Sequence, residues 1–137
     1  MIMGLSVVIA KFNPGFRLSL VDAIALTIGS VLALVSAVFA PSWTLSIGFP
    51  LVHFFLFCNV FRISRLLELL WAAIFLMLAG ATVTCGVPSW VLTVMLSTCM
   101  TVAVVIAEMR KPSYHGVGWQ RINPSLPDWW AKNGPRL

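Results

Sequence analysis

Charge is scarce in this chain. Only 9% of its 137 residues are Asp, Glu, Lys or Arg, while 60% are hydrophobic. An ordinary soluble domain carries about 25% charged residues, so a soluble fold would lack the polar surface needed to cover such a core. The basic residues are scattered at the ends of apolar segments and do not form the basic stripe with stacking aromatics that nucleic-acid binding uses. The composition therefore predicts an integral membrane protein with no nucleic-acid partner.

Catalytic and metal-binding motifs are also missing from the sequence. It has no HExxH, no Gly-rich phosphate loop, no GxSxG and no CxxC pair. Its two histidines and four acids are dispersed, and Cys58, Cys85 and Cys99 lie in or beside apolar segments, as small buried hydrophobic residues do. We therefore expect a protein that is not an enzyme and has no metal site.

Long apolar runs are what the chain does have. A helix needs about 20 apolar residues to cross the hydrocarbon core. Four stretches meet or approach this length: Leu20–Phe39, Trp43–Phe61, Leu66–Val83 and Trp90–Ala107. An alternative interpretation makes Leu51–Leu70 one irregular helix and gives three spans, but it would place Arg62, Arg65 and Glu68 deep in lipid at a high energetic cost. We predict an all-α integral membrane protein with four transmembrane helices.

The distribution of charge predicts an orientation. With four spans, every Lys and Arg falls on one side, and the two loops on the other side carry no charge. Basic residues in short loops stay in the cytoplasm, so both termini are expected there, in a bacterial cytoplasmic (inner) membrane. The chain then divides into an apolar interfacial segment (1–17), a helical bundle (18–109) and a cytoplasmic tail rich in Pro and Trp (110–137).

Small and hydroxyl-bearing residues recur every fourth position on two of the spans. They are Ala25, Gly29, Ala33 and Ala37 on the first span and Thr93, Ser97 and Thr101 on the fourth. Such spacing lets helix backbones approach closely in lipid. It predicts that spans one and four pack tightly, while the Phe-rich second span presents its rings to lipid, a pigment or a neighbouring subunit.

Asp22 and His53 are the polar residues inside the spans with the clearest chemical options. Asp22 is a candidate coupling acid for protons or cations, but Ser19-Leu20-Val21-Asp22 also matches a capping box, which we favour. His53 is a candidate ligand for a pigment, haem or quinone shared with a neighbour, although a hydrogen bond to an adjacent helix is the more common role. The sequence itself requires no cofactor.

Charged pairs and tryptophans mark the predicted cytoplasmic side. Glu108 and Lys111, like Arg65 and Glu68, are three residues apart and can pair on a helix. The tail is expected to form no core of its own, and its Trp119, Trp129 and Trp130 are typical of an attachment element that binds headgroups or another protein.

These features favour a non-catalytic accessory subunit of a larger membrane complex, such as an energy-converting (respiratory or photosynthetic) one, with lipid and other membrane subunits as partners. One alternative is a small homo-oligomeric transporter or channel that uses Asp22 and His53. Another is contact with a pigment, haem or quinone through His53.

Overall fold

Four long helices dominate the computed structural model, which describes residues 12–134. In this range the helices are α1 (Leu20–Phe39), α2 (Pro41–Phe55), α3 (Arg65–Cys85), α4 (Trp90–Met109), α5 (Trp119–Ile122) and α6 (Leu126–Asn133), and a π-helical turn, Leu56–Val60, continues α2. The first four helices, with the π-helical turn counted in α2, are long and apolar enough to cross a membrane. The chain is therefore a multi-pass integral membrane protein, and the prediction of four all-α spans is confirmed.

The helix boundaries follow local chemistry. Ser19 caps α1, Pro41 occupies the first position of α2, and α3 ends at Gly86, whose φ of 72° suits glycine. Between the π-helical turn and α3 the chain reverses at Arg62, which has a φ of 51°. The three-span interpretation is wrong, because Arg62 lies in this connection between two separate helices.

The helices pack in chain order. α1 packs against α2, α2 contacts α3, and α3 packs against α4. The apolar core lies between α2 with its π-helical turn, α3 and α4. Its buried residues are Phe57, Ile63, Trp71, Phe75, Ala79 and Val104, and Phe49 packs against them. The expectation that the rings of the second span face outward is therefore wrong for Phe49 and Phe57, since α2 is a central helix.

α2 packs against the face of α1 that carries the small residues. A Cβ added at Gly29 would lie 2.6 Å from Cδ1 of Leu51, so the missing side chain makes room for this leucine. Ala25 and Ala33 are half-buried, while Ala37 is exposed. The short turn at Pro41 makes α1 and α2 a helical hairpin, and sequential helices are the usual neighbours.

The hydroxyls of α4 face α3. Thr93 and Thr82 share a hydrogen bond of 2.7 Å. The indole Nε1 of Trp71 donates to Oγ1 of Thr101 at 2.9 Å and to the carbonyl of Ser97 at 3.2 Å. The three predicted packing positions of α4 therefore serve an α3–α4 interface built on polar contacts between adjacent helices.

Candidate functional site

One end of the bundle holds two hydrogen-bonded groups of polar side chains, one around Asp22 and one around Glu108. Here α1 and α3 begin, α4 ends, and the π-helical turn links α2 to Arg62. The amides of Phe61 and Ile63 donate to the carbonyls of Leu56 and Phe57, both at 2.8 Å. We call this region the polar end and define it by Ser19, Asp22, Asn59, Ser64, Glu108 and Lys111.

Asp22 makes the expected capping box. Its Oδ2 accepts from the amide of Ser19 at 3.0 Å and from the Ser19 hydroxyl at 2.6 Å, and its own amide donates to that hydroxyl at 3.1 Å. Its carboxylate therefore compensates the free amides at the start of α1.

Asn59 adds a contact to Asp22 from a different helix. This residue is fully buried. With its side-chain nitrogen facing the carboxylate, Asn59 donates to Oδ2 of Asp22 at 3.0 Å and also to the carbonyl of Arg17. Its backbone carbonyl accepts from the amide of Arg17 at 3.1 Å. The α1 cap and the π-helical turn are thus tied together.

Asp22 also lines an open groove between α1, the π-helical turn and the start of α3. The groove has a volume of about 300 Å³ and is lined by Arg17, Ser19, Val21, Asp22, Phe54, Cys58 and Arg65. Near it, the Cys58 thiol donates to Glu68 at 3.3 Å, and Glu68 is paired with the exposed Arg65 at 3.0 Å. The predicted Arg65–Glu68 pair is therefore present.

Glu108 links α4 to the start of α3. Its side chain is 6% exposed, and its Oε2 accepts from Lys111 at 2.7 Å, from the Ser64 hydroxyl at 2.9 Å and from the Ser64 amide at 3.3 Å. Ser64 is the N-cap residue of α3. The carboxylate of one helix therefore caps another, where negative charge is favourable. The predicted Glu108–Lys111 pair is present.

His53 lies in an aromatic stack in the core. Its ring is 4.6 Å from that of Trp71, nearly parallel at 14°, and 4.2 Å from that of Phe49. The contact between Nδ1 and the carbonyl of Phe49 is 2.8 Å. A carbonyl oxygen can only accept a hydrogen bond, so Nδ1 carries the proton and donates to Phe49. In the neutral ring, Nε2 is then the other polar atom, and its lone pair can accept a hydrogen bond.

The tail folds back onto the chain. Trp119 and Trp130 pack edge-on against Phe12, at 5.9 and 5.6 Å between ring centroids. The amide of Val117 donates to the carbonyl of Val60 at 2.9 Å, and the amide of Gly15 donates to the carbonyl of His115 at 2.7 Å. The tail is therefore docked on the N-terminal segment and on the π-helical turn.

Large side chains of the tail are buried as well. Tyr114 is 1% exposed and Leu126 is 0% exposed. Asn123 donates to the carbonyls of Pro112 at 2.7 Å and Tyr114 at 3.2 Å, and the Tyr114 hydroxyl donates to the carbonyl of Val117 at 2.8 Å. These hydrogen bonds satisfy the backbone of a short irregular segment, which a composition argument cannot anticipate.

Two groups outside the spans have shifted pKa values. Burial raises the pKa of the Tyr114 phenol above 10.0, and the charge of Glu108 acts in the same direction. Burial lowers the pKa of the Arg62 guanidinium, and repulsion from Arg17 contributes to this decrease. Arg62 donates to the carbonyl of Asn13 at 2.6 Å, which holds the N-terminal segment against the connection.

The candidate residues separate into different environments. His53 contacts Phe49, Phe57 and Trp71, and the groove that Asp22 lines does not include it. Sequence reasoning missed Asn59 as a partner of Asp22 and Ser64 as a partner of Glu108. A signal existed for each, since Asn59 is an isolated polar residue in an apolar run and Ser64 directly precedes a helix.

Comparison with known proteins gives no match: no family model matches the sequence, and no curated protein or solved structure does. Among residues 12–134, no group of three or more His, Cys, Asp or Glu side chains is placed to hold a metal ion.

Proposed function

We propose that the chain is a non-catalytic accessory subunit of a larger membrane protein complex. The observation that supports this is the use of its polar groups within the fold. Asp22 and Glu108 accept hydrogen bonds that join helix ends, and His53 is sandwiched in the core. Groups arranged in this way stabilise a scaffold, whereas a catalytic group needs to reach a substrate.

The uncovered surface of α1 is the surface that such a subunit offers to a partner. Apart from its face on α2, this helix is largely exposed, and Phe39 is 83% exposed. The exposed face carries Leu34, Val35 and Val38. A partner helix can pack there through van der Waals contact, and lipid covers the remainder.

The tail offers a second attachment surface, with Trp129 as its candidate anchor. Trp119 and Trp130 already pack on Phe12, whereas the aromatic neighbour of Trp129 is Trp130 at 6.5 Å. Aromatic side chains provide large contact areas in protein interfaces. The two adjacent tryptophans therefore have different roles, one inside the fold and one toward a partner.

The first test is mild detergent extraction of the tagged chain from its native membrane, followed by native mass measurement and subunit identification. Recovery in fixed stoichiometry with other proteins is expected, and those proteins would identify the class of complex. Recovery as a monomer or as a homo-oligomer would contradict the proposal. In the same extraction, Trp129→Ala should reduce recovery of the partners without lowering the melting temperature, whereas Trp130→Ala should lower the melting temperature.

We also place the polar end on the cytoplasmic side of a bacterial inner membrane. The charged residues Arg17, Arg62, Arg65, Arg110 and Lys111 gather there, while the loops at Pro41 and Gly86 carry no charge. A cysteine-free variant with Ser42→Cys should react with an impermeant thiol reagent added to whole cells, and one with Lys132→Cys should not. The reverse pattern would overturn this orientation.

A homo-oligomeric transporter is a second candidate, because Asp22 lines an open groove beside Arg17 and Arg65. This function predicts that Asp22→Asn abolishes proton- or cation-linked flux in proteoliposomes while assembly survives. Ser19→Ala is the matched control, since it weakens the same cap and keeps the carboxylate. No flux in the parent protein would eliminate this candidate.

Contact between His53 and a pigment or haem is tested by the visible absorption spectrum of the natively purified chain. The Nε2 atom is the one available for ligation. Loss of a visible band in a His53→Phe variant would support the contact, and a colourless parent preparation would eliminate pigment and haem while leaving a quinone to be tested by extraction.

A further inference from the structure

An open cavity of about 480 Å³ lies where the end of α4 meets the tail. Its apolar wall is formed by Ile106 and Met109 of α4 and by Ile122 of α5. Arg110 and Lys111 provide the charged part of its lining. This volume is in the range of small-molecule sites, which combine an apolar wall with a few polar groups.

The two cations of the cavity differ in how much of their charge is already compensated. Lys111 is paired with Glu108 at 2.7 Å and also donates to the Ser64 hydroxyl at 2.9 Å. Among residues 12–134, the ion pairs are Lys111 with Glu108 and Arg65 with Glu68, so Arg110 is in neither. Arg110 therefore supplies the uncompensated positive charge, with a planar group that matches the oxygens of a phosphate.

The cavity lies at the boundary between hydrocarbon and headgroups, a position that suits an amphiphilic ligand. Met109 is the last residue of the fourth span, so Ile106 lies on the hydrocarbon side and Arg110 on the headgroup side. A ligand that occupies this boundary needs an apolar chain below and a negative group above. Basic pockets at the ends of transmembrane helices bind anionic headgroups by the same electrostatic attraction.

We propose that this cavity binds one anionic phospholipid, with its phosphate on Arg110 and an acyl chain along Ile106 and Met109. Because Ile122 belongs to the tail, the bound lipid also contacts α5 and holds the tail against α4. The segment is rigid enough for this role, since Asn123 ties it to the carbonyls of Pro112 and Tyr114. This inference does not depend on the accessory-subunit proposal, because it concerns the isolated chain.

The test is native mass spectrometry of the purified full chain titrated with phosphatidylglycerol or phosphatidylcholine in detergent. We expect one phosphatidylglycerol to be retained preferentially, and Arg110→Gln to weaken its binding about five- to tenfold. Arg121→Gln is the matched control, because Arg121 is an exposed cation next to Ile122 that is not part of the lining. The affinity of the Arg121→Gln variant for phosphatidylglycerol should stay within twofold of that of the parent chain.

Further measurements distinguish specific lipid binding from general surface attraction and from binding of a free anion. Equal retention of the two lipids, or equal weakening by the two Arg variants, would overturn the proposal in favour of general surface attraction. Displacement of the lipid by inorganic phosphate at similar concentration would indicate a free-anion site and would also overturn it. Ile106→Gln should weaken lipid binding through the apolar wall, and unchanged binding in this variant would contradict the assigned acyl-chain position. Melting temperatures in lipid-free detergent confirm that each variant is folded.

Discussion

At the scale of single residues, two acids, Asp22 and Glu108, act as helix caps. Asp22 caps its own helix, and Glu108 caps the helix that begins after Ser64. A carboxylate accepts several hydrogen bonds and favours the positive end of a helix dipole, so it can be buried where isolated charge would be costly. The acids are therefore most sensitive to substitutions that remove charge or hydrogen-bond acceptance.

Glu108→Gln should lower the free energy of unfolding by about 1 kcal/mol, and Glu108→Ala by about 2–3 kcal/mol. The amide keeps an acceptor for Ser64 but loses the charge that faces Lys111, whereas alanine leaves both partners unsatisfied. Thermal unfolding in detergent measures the difference. Glu68→Gln is the control, because its partner Arg65 is 81% exposed and such pairs contribute about 0.5 kcal/mol. Equal effects of the Gln substitutions at Glu108 and Glu68 would contradict the assigned cap.

Tyr114 makes tail docking sensitive to alkaline pH. The buried site favours the neutral phenol, whose pKa is raised above 10.0 by burial and by Glu108. The stability that this group contributes is therefore fully present below pH 10 and is lost as the pH rises through the raised pKa.

Because Tyr114 is the only tyrosine of the chain, tyrosinate absorbance reports its titration directly. Tyr114→Phe should remove this titration and cost about 1 kcal/mol through the lost bond to Val117. A midpoint at or below pH 10 would contradict the buried position.

At the scale of elements, local signals predicted the spans and non-local contacts decided the connections. The lengths of the apolar runs and the Ser19–Asp22 cap were readable because each is a property of a few consecutive residues. The π-helical turn and the folded tail were not, because they depend on contacts such as Val117 with Val60 and Phe12 with Trp119. The small residues of α1 predicted a closely packed helix face, but they did not identify α2 as the helix that packs there.

At Gly116 the backbone of the tail lies close to that of Phe61, at the end of the π-helical turn. A Cβ there would lie 2.5 Å from the backbone oxygen of Phe61 and 2.8 Å from its carbonyl carbon. Because backbone cannot move aside as a flexible side chain can, Gly116→Ala should destabilise the docked tail by about 1–3 kcal/mol. Gly80→Ala, where nothing lies within 4 Å, should be neutral or slightly stabilising. Limited tryptic proteolysis after Arg110 or Arg121 compares the two variants, and equal cleavage rates would contradict the close approach.

At the scale of the whole molecule, the core is offset toward α2, α3 and α4, and α1 is attached at the edge. α1 is held by the fit of Leu51 over Gly29 and by the hydrogen bond between Asn59 and Asp22. Among the described helices α1 packs mainly against α2, and its other faces are largely exposed. This arrangement predicts that α1 can be loosened without disturbing the remaining helices.

Gly29→Val tests that independence. The added side chain meets Leu51 and should push α1 outward, since the nearest atom would lie 2.6 Å from its Cβ. In a cysteine-free background, spin labels at Leu34 and Leu45 report the α1–α2 distance, and labels at Leu76 and Val91 report the α3–α4 distance. We expect the first distance distribution to broaden or shift while the second stays unchanged. Ser30→Val is the control, because Ser30 is exposed on the same helix. If both distances change together, α1 is integral to the core; if neither changes, a rotation of Leu51 absorbs the added volume and the Gly29 contact does not position the helix.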